Sequence, residues 1–134
     1  MIGVSESVTH DFAPVDLLDV VRYAGASGDF NRVHYDPTLA RQAGYPDAFA
    51  QGMLTAGLLG VAVAELMGVT SLRSFGVRFV SPLWLGDRPT ATMTIVEREE
   101  SRTRVELELA VDGRVVTRGW AEVLSRAAGA DSNE

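Results

Sequence analysis

The chain has 134 residues, 46% hydrophobic and 22% charged, which suits one globular domain and is too apolar for a disordered segment. Its net charge of −6 argues against nucleic-acid binding, and the absence of cysteine excludes disulfides, thiolate catalysis and sulfur-bound metals. All 12 basic residues are arginine, so Schiff-base chemistry through a lysine is excluded as well.

No charged-then-apolar leader opens the chain, so a cytoplasmic protein with no membrane partner is expected. Residues 4–12 read as a short edge strand, with His10 in a structural role. Asp16 is placed to cap a helix, with Asp19 as its capping-box partner. Leu17, Val20, Val21 and Ala24 give that helix one buried stripe, and Gly25 to Gly28 end it. Residues 37–43 form a second short helix opening at Pro37.

The run "GMLTAGLLGVAVAELMG", residues 52–68, is apolar nearly all round, with only Thr55 and Glu65 dissenting. It falls short of the ~20 residues that a bilayer span needs, so the spacing predicts a buried central helix. Gly57, Gly60, Ala62 and Ala64 keep it slim and leave room for other backbone.

Beyond the helix the apolar period falls to two. Phe75, Val77 and Phe79, then Ala91, Met93 and Ile95, then Val105, Leu107, Leu109 and Val111 each alternate with wetter neighbours. These are half-buried antiparallel strands. Asp112-Gly113 predicts a type I′ hairpin into a last strand at 114–124. Residues 1–124 are therefore read as one domain and 125–134 as a flexible tail. The fold class is α+β, a curved sheet wrapped around a long helix. Such a sheet leaves a free edge, which a second copy of the chain would cover.

The polar chemistry gathers in "SGDFNRVHYD", residues 27–36, which holds one of the two histidines of the chain. Asp29 and His34 lie five apart, a spacing that only a folded loop brings together. Gly28 permits an unusual turn there, and Asn31 tolerates a left-handed one. Two readings stay open on spacing alone. Asp29 caps a turn while His34 bonds a backbone carbonyl, or the two form an acid–base pair.

At this point the sequence resembles the MaoC-type dehydratases, or (R)-specific enoyl hydratases. "YAGASGDFNRVHYDPTLARQAGYPDAFAQGMLTAGLLG" carries their S-G-D-x-N-P-h-H segment (h aliphatic) and the glycine-led helix. "VRFVSPLWLGD" carries their P-x-x-x-G-D turn. The resemblance spans roughly residues 16–124, with two departures: Arg32 stands where proline is usual, and Gln51 where histidine commonly precedes the helix glycine.

The resemblance implies a hot-dog fold and reversible water loss from (R)-3-hydroxyacyl thioesters to trans-2-enoyl thioesters. The acyl group would ride on coenzyme A or an acyl carrier protein, with no metal or redox cofactor. It implies Asp29 and His34 as the catalytic pair, Asn31 as the residue holding their loop, and the Gly52 N–H as donor to the thioester carbonyl. Met53 and Leu54 would contact the acyl chain. His34 is expected to take the carbon-2 proton and Asp29 to protonate the leaving hydroxyl, though the reverse division serves equally. A homodimer is expected, with a dimer of dimers or a hetero-oligomer as variants. Thioester hydrolysis on the same fold is an alternative that the Asp-x-Asn-x-x-His loop leans against. A non-catalytic acyl-binding subunit is another, against which stands the presence of both members of the pair.

Overall fold

The computed structural model describes residues 3–125. In chain order it contains β1 (Ser7–Asp11), α1 (Leu17–Ser27), a 3-10 turn (Arg32–His34), α2 (Pro37–Gln42), α3 (Gly52–Met67), β2 (Leu72–Phe79), β3 (Thr90–Arg98), β4 (Arg102–Val111) and β5 (Arg114–Leu124). The flexible tail expected over 125–134 lies, from residue 126 onward, outside the described residues.

The strands form one antiparallel sheet in the order β1-β3-β4-β5-β2. The β4–β5 hairpin turns at Asp112 and Gly113, both with positive φ (48° and 82°), as a type I′ turn requires. The sheet curves round α3, which packs against β2, β3, β4 and β5 in the hot-dog arrangement. Leu59, Ala62 and Val63 of α3 meet Met93, Ile95, Val105, Leu109 and Val123 in a single core cluster. A fully buried side chain of the Leu59 kind stabilises the fold by ~1.5–3 kcal/mol.

Local signals behave as the sequence suggests. The Asp16 carboxylate accepts from the Asp19 N–H at 2.9 Å, and the Asp19 carboxylate accepts from the Asp16 N–H at 3.0 Å, a complete capping box. Gly28 closes α1 in the left-handed conformation at φ 79°. Pro37 opens α2 behind the Asp36 cap.

Burial differs from expectation on three elements. On α1, Val20 and Ala24 are buried, whereas Leu17 and Val21 are 47% and 48% exposed. The helix lies against the core along one narrow line rather than a broad stripe. Around α3, Met53 is 58% and Val61 47% exposed, with Gly57 and Glu65 continuing that side at four-residue spacing. A five-stranded sheet covers only part of a cylinder, so α3 is not enclosed. Among the described residues nothing lies within 4 Å of where a Cβ would sit at Gly57 or Gly60, so no described backbone of the same chain uses the slimness expected there. Finally, β2 has no fully buried residue because it forms a sheet edge, and Phe79 at its end stands half open.

Candidate active site

The site is built on the break between α1 and α2. After Gly28 turns the chain, the Ser27 hydroxyl donates to the Tyr23 carbonyl (2.7 Å) and accepts from the Asp29 N–H (3.1 Å). The Asp29 carboxylate accepts from the Asn31 N–H (3.2 Å). The Asn31 side-chain oxygen accepts from the Val33 N–H (3.2 Å), which starts the 3-10 turn that carries His34. Asn31 does this from an extended conformation, φ −61° and ψ 121°, rather than a left-handed one. The Tyr35 hydroxyl donates to the Phe30 carbonyl (3.1 Å), tying the two sides of the bend. Arg32, in the usual proline position, pairs with Asp36 at 2.8 Å. That aspartate caps α2, and its carboxyl is held below the ordinary range first by the Leu39 N–H and then by Arg32.

His34 is buried, and its Nδ1 lies 2.8 Å from the Phe49 carbonyl oxygen. A carbonyl only accepts, so Nδ1 carries the proton and the lone pair of the neutral ring is on Nε2. Nε2 lies 3.5 Å from Asp29 Oδ2. The contacts give the first of the two readings left open by the spacing, in which Asp29 closes a turn and His34 bonds a backbone carbonyl, and they leave the other ring nitrogen on the side of the carboxylate. The Asp29 side chain is 46% exposed, so the single chain does not supply an apolar enclosure around it. His10 stands apart in β1, its ring edge-on to Phe12 at 4.7 Å.

Phe49 leads directly into α3. Its ring packs edge-on to His34 (5.1 Å) and Trp84 (5.8 Å), and Tyr45 lies at 4.8 Å. The Gln51 amide then donates to the Val20 carbonyl at 3.1 Å, fastening the entrance of α3 to α1. Gly52 opens the helix, where unpaired N–H groups and the positive end of the helix dipole gather. The Phe79 ring lies 3.3–3.4 Å from where a Cβ on Gly52 would sit, so only glycine leaves that contact unstrained.

A cavity of about 300 Å³ opens at this tip, lined by Phe49, Gly52, Thr55, Phe79, Ser81 and Thr117, among others. Asp29 and His34 are not among its lining residues; the link between them and the tip runs through Phe49. A second groove of about 440 Å³ runs between α1, residues 12–15 and the Leu54 and Leu58 side of α3. Leu54 thus faces apolar space, whereas Met53 lies on the open side of α3. Among the described residues there is no cluster of three or more histidine or acidic side chains suited to a metal ion.

The "PLWLGD" stretch is a turn. Asp87 accepts from the Trp84 N–H (3.0 Å) and pairs with Arg114 (2.7 Å), while Gly86 takes φ 93°. Trp84 packs on Phe49 within the chain. Four exposed arginines could meet an anion: Arg41 pairs with Asp47 (3.7 Å), Arg73 donates to the Thr70 and Leu72 carbonyls, and Arg78 and Arg88 stand at the surface. Sequence reasoning placed Phe79 only in a strand and did not reach Phe49 or Thr117 as site residues. Phe49 acts through its carbonyl, which no residue letter encodes.

Comparison with known proteins bears on the family and the fold. An (R)-specific enoyl-CoA hydratase of Rhodospirillum rubrum is 30% identical over 115 residues, 83% of this chain and 80% of that one. A mitochondrial 3-hydroxyacyl-[acyl-carrier-protein] dehydratase of Arabidopsis thaliana is 27% identical over 86 residues, 64% of this chain. This chain spans about half the length (52%) of that relative. The unliganded R-hydratase PhaJ1 of Pseudomonas aeruginosa superposes with a TM-score of 0.85 at 25% identity, covering 94% of this chain and 83% of that one. The MaoC-like domain model matches residues 4–116, nearly the whole described chain, and so the protein belongs to the MaoC-like domain family.

Proposed function

We propose that the chain is a hydro-lyase that interconverts (R)-3-hydroxyacyl and trans-2-enoyl thioesters through Asp29 and His34. The observation that carries this reading is His34, whose Nδ1 is committed to the Phe49 carbonyl so that its basic Nε2 faces Asp29 at 3.5 Å. In the dehydration direction, Nε2 takes the proton from carbon 2. Electron density moves onto the thioester oxygen beside the Gly52 N–H, then returns to form the C2–C3 double bond as the C3–O bond breaks. Asp29, protonated, gives its proton to the departing oxygen, and water leaves. The reverse division of the two protons uses the same groups. Asn31 holds the bend, and Leu54 with Met53 borders the acyl chain. The step is redox-neutral, and the proposal gives no role to a metal or redox cofactor.

The carrier would be coenzyme A or an acyl carrier protein. The working unit would be a pair of copies: the open side of α3 and the free β2 edge are the surfaces that a second copy would cover, and such cover would also deepen the enclosure of Asp29. The test is hydration of crotonyl-coenzyme A followed at the enoyl-thioester absorbance, with thiol release measured in parallel. Loss of enoyl absorbance without free thiol is expected. Asp29→Asn or His34→Ala should lower turnover by about 10² or more while leaving the fold intact. Near-normal turnover in either folded variant would refute the assignment, and thiol release would turn the reading to thioester hydrolysis.

A further inference from the structure

Buried polar side chains are costly unless bonded, so where a chain concentrates them is informative. Among the described residues five are buried: His34, Gln51, Thr55, Thr103 and Thr117. Thr103 bonds Ser125 at the far end of the sheet. The other four all belong to, or bond to, residues 49–55 at the entrance of α3. His34 and Gln51 tie that entrance to the catalytic bend and to α1. The remaining pair, Thr55 and Thr117, has no part in the reaction described above.

The direction of its hydrogen bonds can be worked out. The Thr55 hydroxyl donates its one proton to the Gly52 carbonyl at 2.6 Å. Its contact with the Thr117 hydroxyl, at 2.7 Å and 62 residues away in sequence, must then have Thr117 as donor. A directed chain results: Thr117 O–H to Thr55 O–H to the carbonyl of Gly52. That carbonyl shares a peptide unit with the Met53 N–H. No acceptor among the described residues meets the N–H of Gly52 or Met53. Donation into one side of a peptide strengthens the donor on the other. The chain also pins the first turn of α3 to β5, and both hydroxyl-bearing residues line the cavity at the helix tip. Stability alone does not ask for these hydroxyls, because replacing both partners of a buried hydrogen bond by apolar groups of the same shape is nearly neutral.

We infer that Thr117 is a positioning residue for the proposed reaction, acting through Thr55 to orient and sharpen the amide tip of α3. The inference rests on the reading of that tip as the thioester-carbonyl site. The test compares Thr117→Val, Thr117→Ser and Thr55→Val in the full chain, reading the Gly52 and Met53 amide resonances by NMR together with hydration kinetics. Thr117→Val should move the Met53 amide proton upfield and lower kcat about tenfold, a fraction of the ~10²–10³ that follows outright loss of an oxyanion donor. KM should stay within about twofold. Thr117→Ser, which keeps the hydroxyl, should restore both readouts, and Thr117→Val added to Thr55→Val should change neither further. An unmoved Met53 amide in Thr117→Val, or a kcat loss that serine fails to repair, would overturn the inference. Should the wild-type chain hydrate no enoyl thioester, the proposed function falls and the catalytic half of the inference with it, while the Met53 resonance in the valine and serine variants still decides whether Thr117 orients the α3 tip.

Discussion

Gly52→Ala separates the fold of the α3 tip from its chemistry. Gly52 does not have a positive φ, so alanine can take its backbone conformation. The new Cβ would meet the Phe79 ring at 3.3–3.4 Å, a few tenths of an ångström too close. Phe79 is 50% exposed, so its ring can swing toward solvent at a cost of less than ~1 kcal/mol, below the usual penalty for overpacking a closed core. Restricting the unfolded chain returns ~0.4–1 kcal/mol. The two effects roughly cancel, and the melting temperature should move by no more than a few degrees. Activity should respond differently, because the methyl would stand beside the N–H proposed to receive the thioester carbonyl. A loss of about 10² in kcat/KM is expected, the scale of losing one oxyanion donor. Crotonyl-coenzyme A hydration and thermal melts on the same preparation measure both. A folded variant with wild-type turnover would refute the role of the Gly52 amide, and a melt lowered by ten degrees or more would refute the argument that Phe79 yields.

Three further outcomes follow from the same geometry. Val61→Arg puts a charge on the open side of α3 at a position already 47% exposed, so the single chain should still fold, whereas the dimer proposed for the wild type should sediment as a monomer in the variant; a variant that stays dimeric would move the interface elsewhere. Gln51→Met removes the bond to the Val20 carbonyl, worth ~0.5–1.5 kcal/mol, but also removes a buried amide oxygen that has no partner among the described residues, so the urea-derived stability should change by less than ~1 kcal/mol. A loss of several kcal/mol would mean that this oxygen is satisfied in solution. The Asp36 carboxyl titrates below its ordinary value of 3.8, so its stabilising contribution is complete above that pH and is lost as pH falls toward the lower folded value. Asp36→Asn should therefore flatten the acid limb of a melting-temperature profile below pH 3.8, and an unchanged limb would contradict it.

What the amino-acid sequence determined by itself is whatever short-range physics decides. The Asp16–Asp19 capping box, the Gly28 turn, Pro37 behind Asp36 and the Asp112-Gly113 hairpin each depend on groups within four residues of one another, and all stand where the letters put them. Strand alternation in β3 and β4 was equally legible, because both faces of a central strand have fixed neighbours. Tertiary structure alone decided which apolar residues find cover. Leu17, Val21, Met53 and Val61 read as core yet lie open, since hydrophobicity states a demand for burial and not which surface meets it. It also decided the polar partners of the site: the Phe49 carbonyl for His34, the Val20 carbonyl for Gln51 and Thr117 for Thr55. Those contacts join a side chain to a carbonyl common to every residue, or to a hydroxyl 62 positions away, and only the path of the folded chain selects among them.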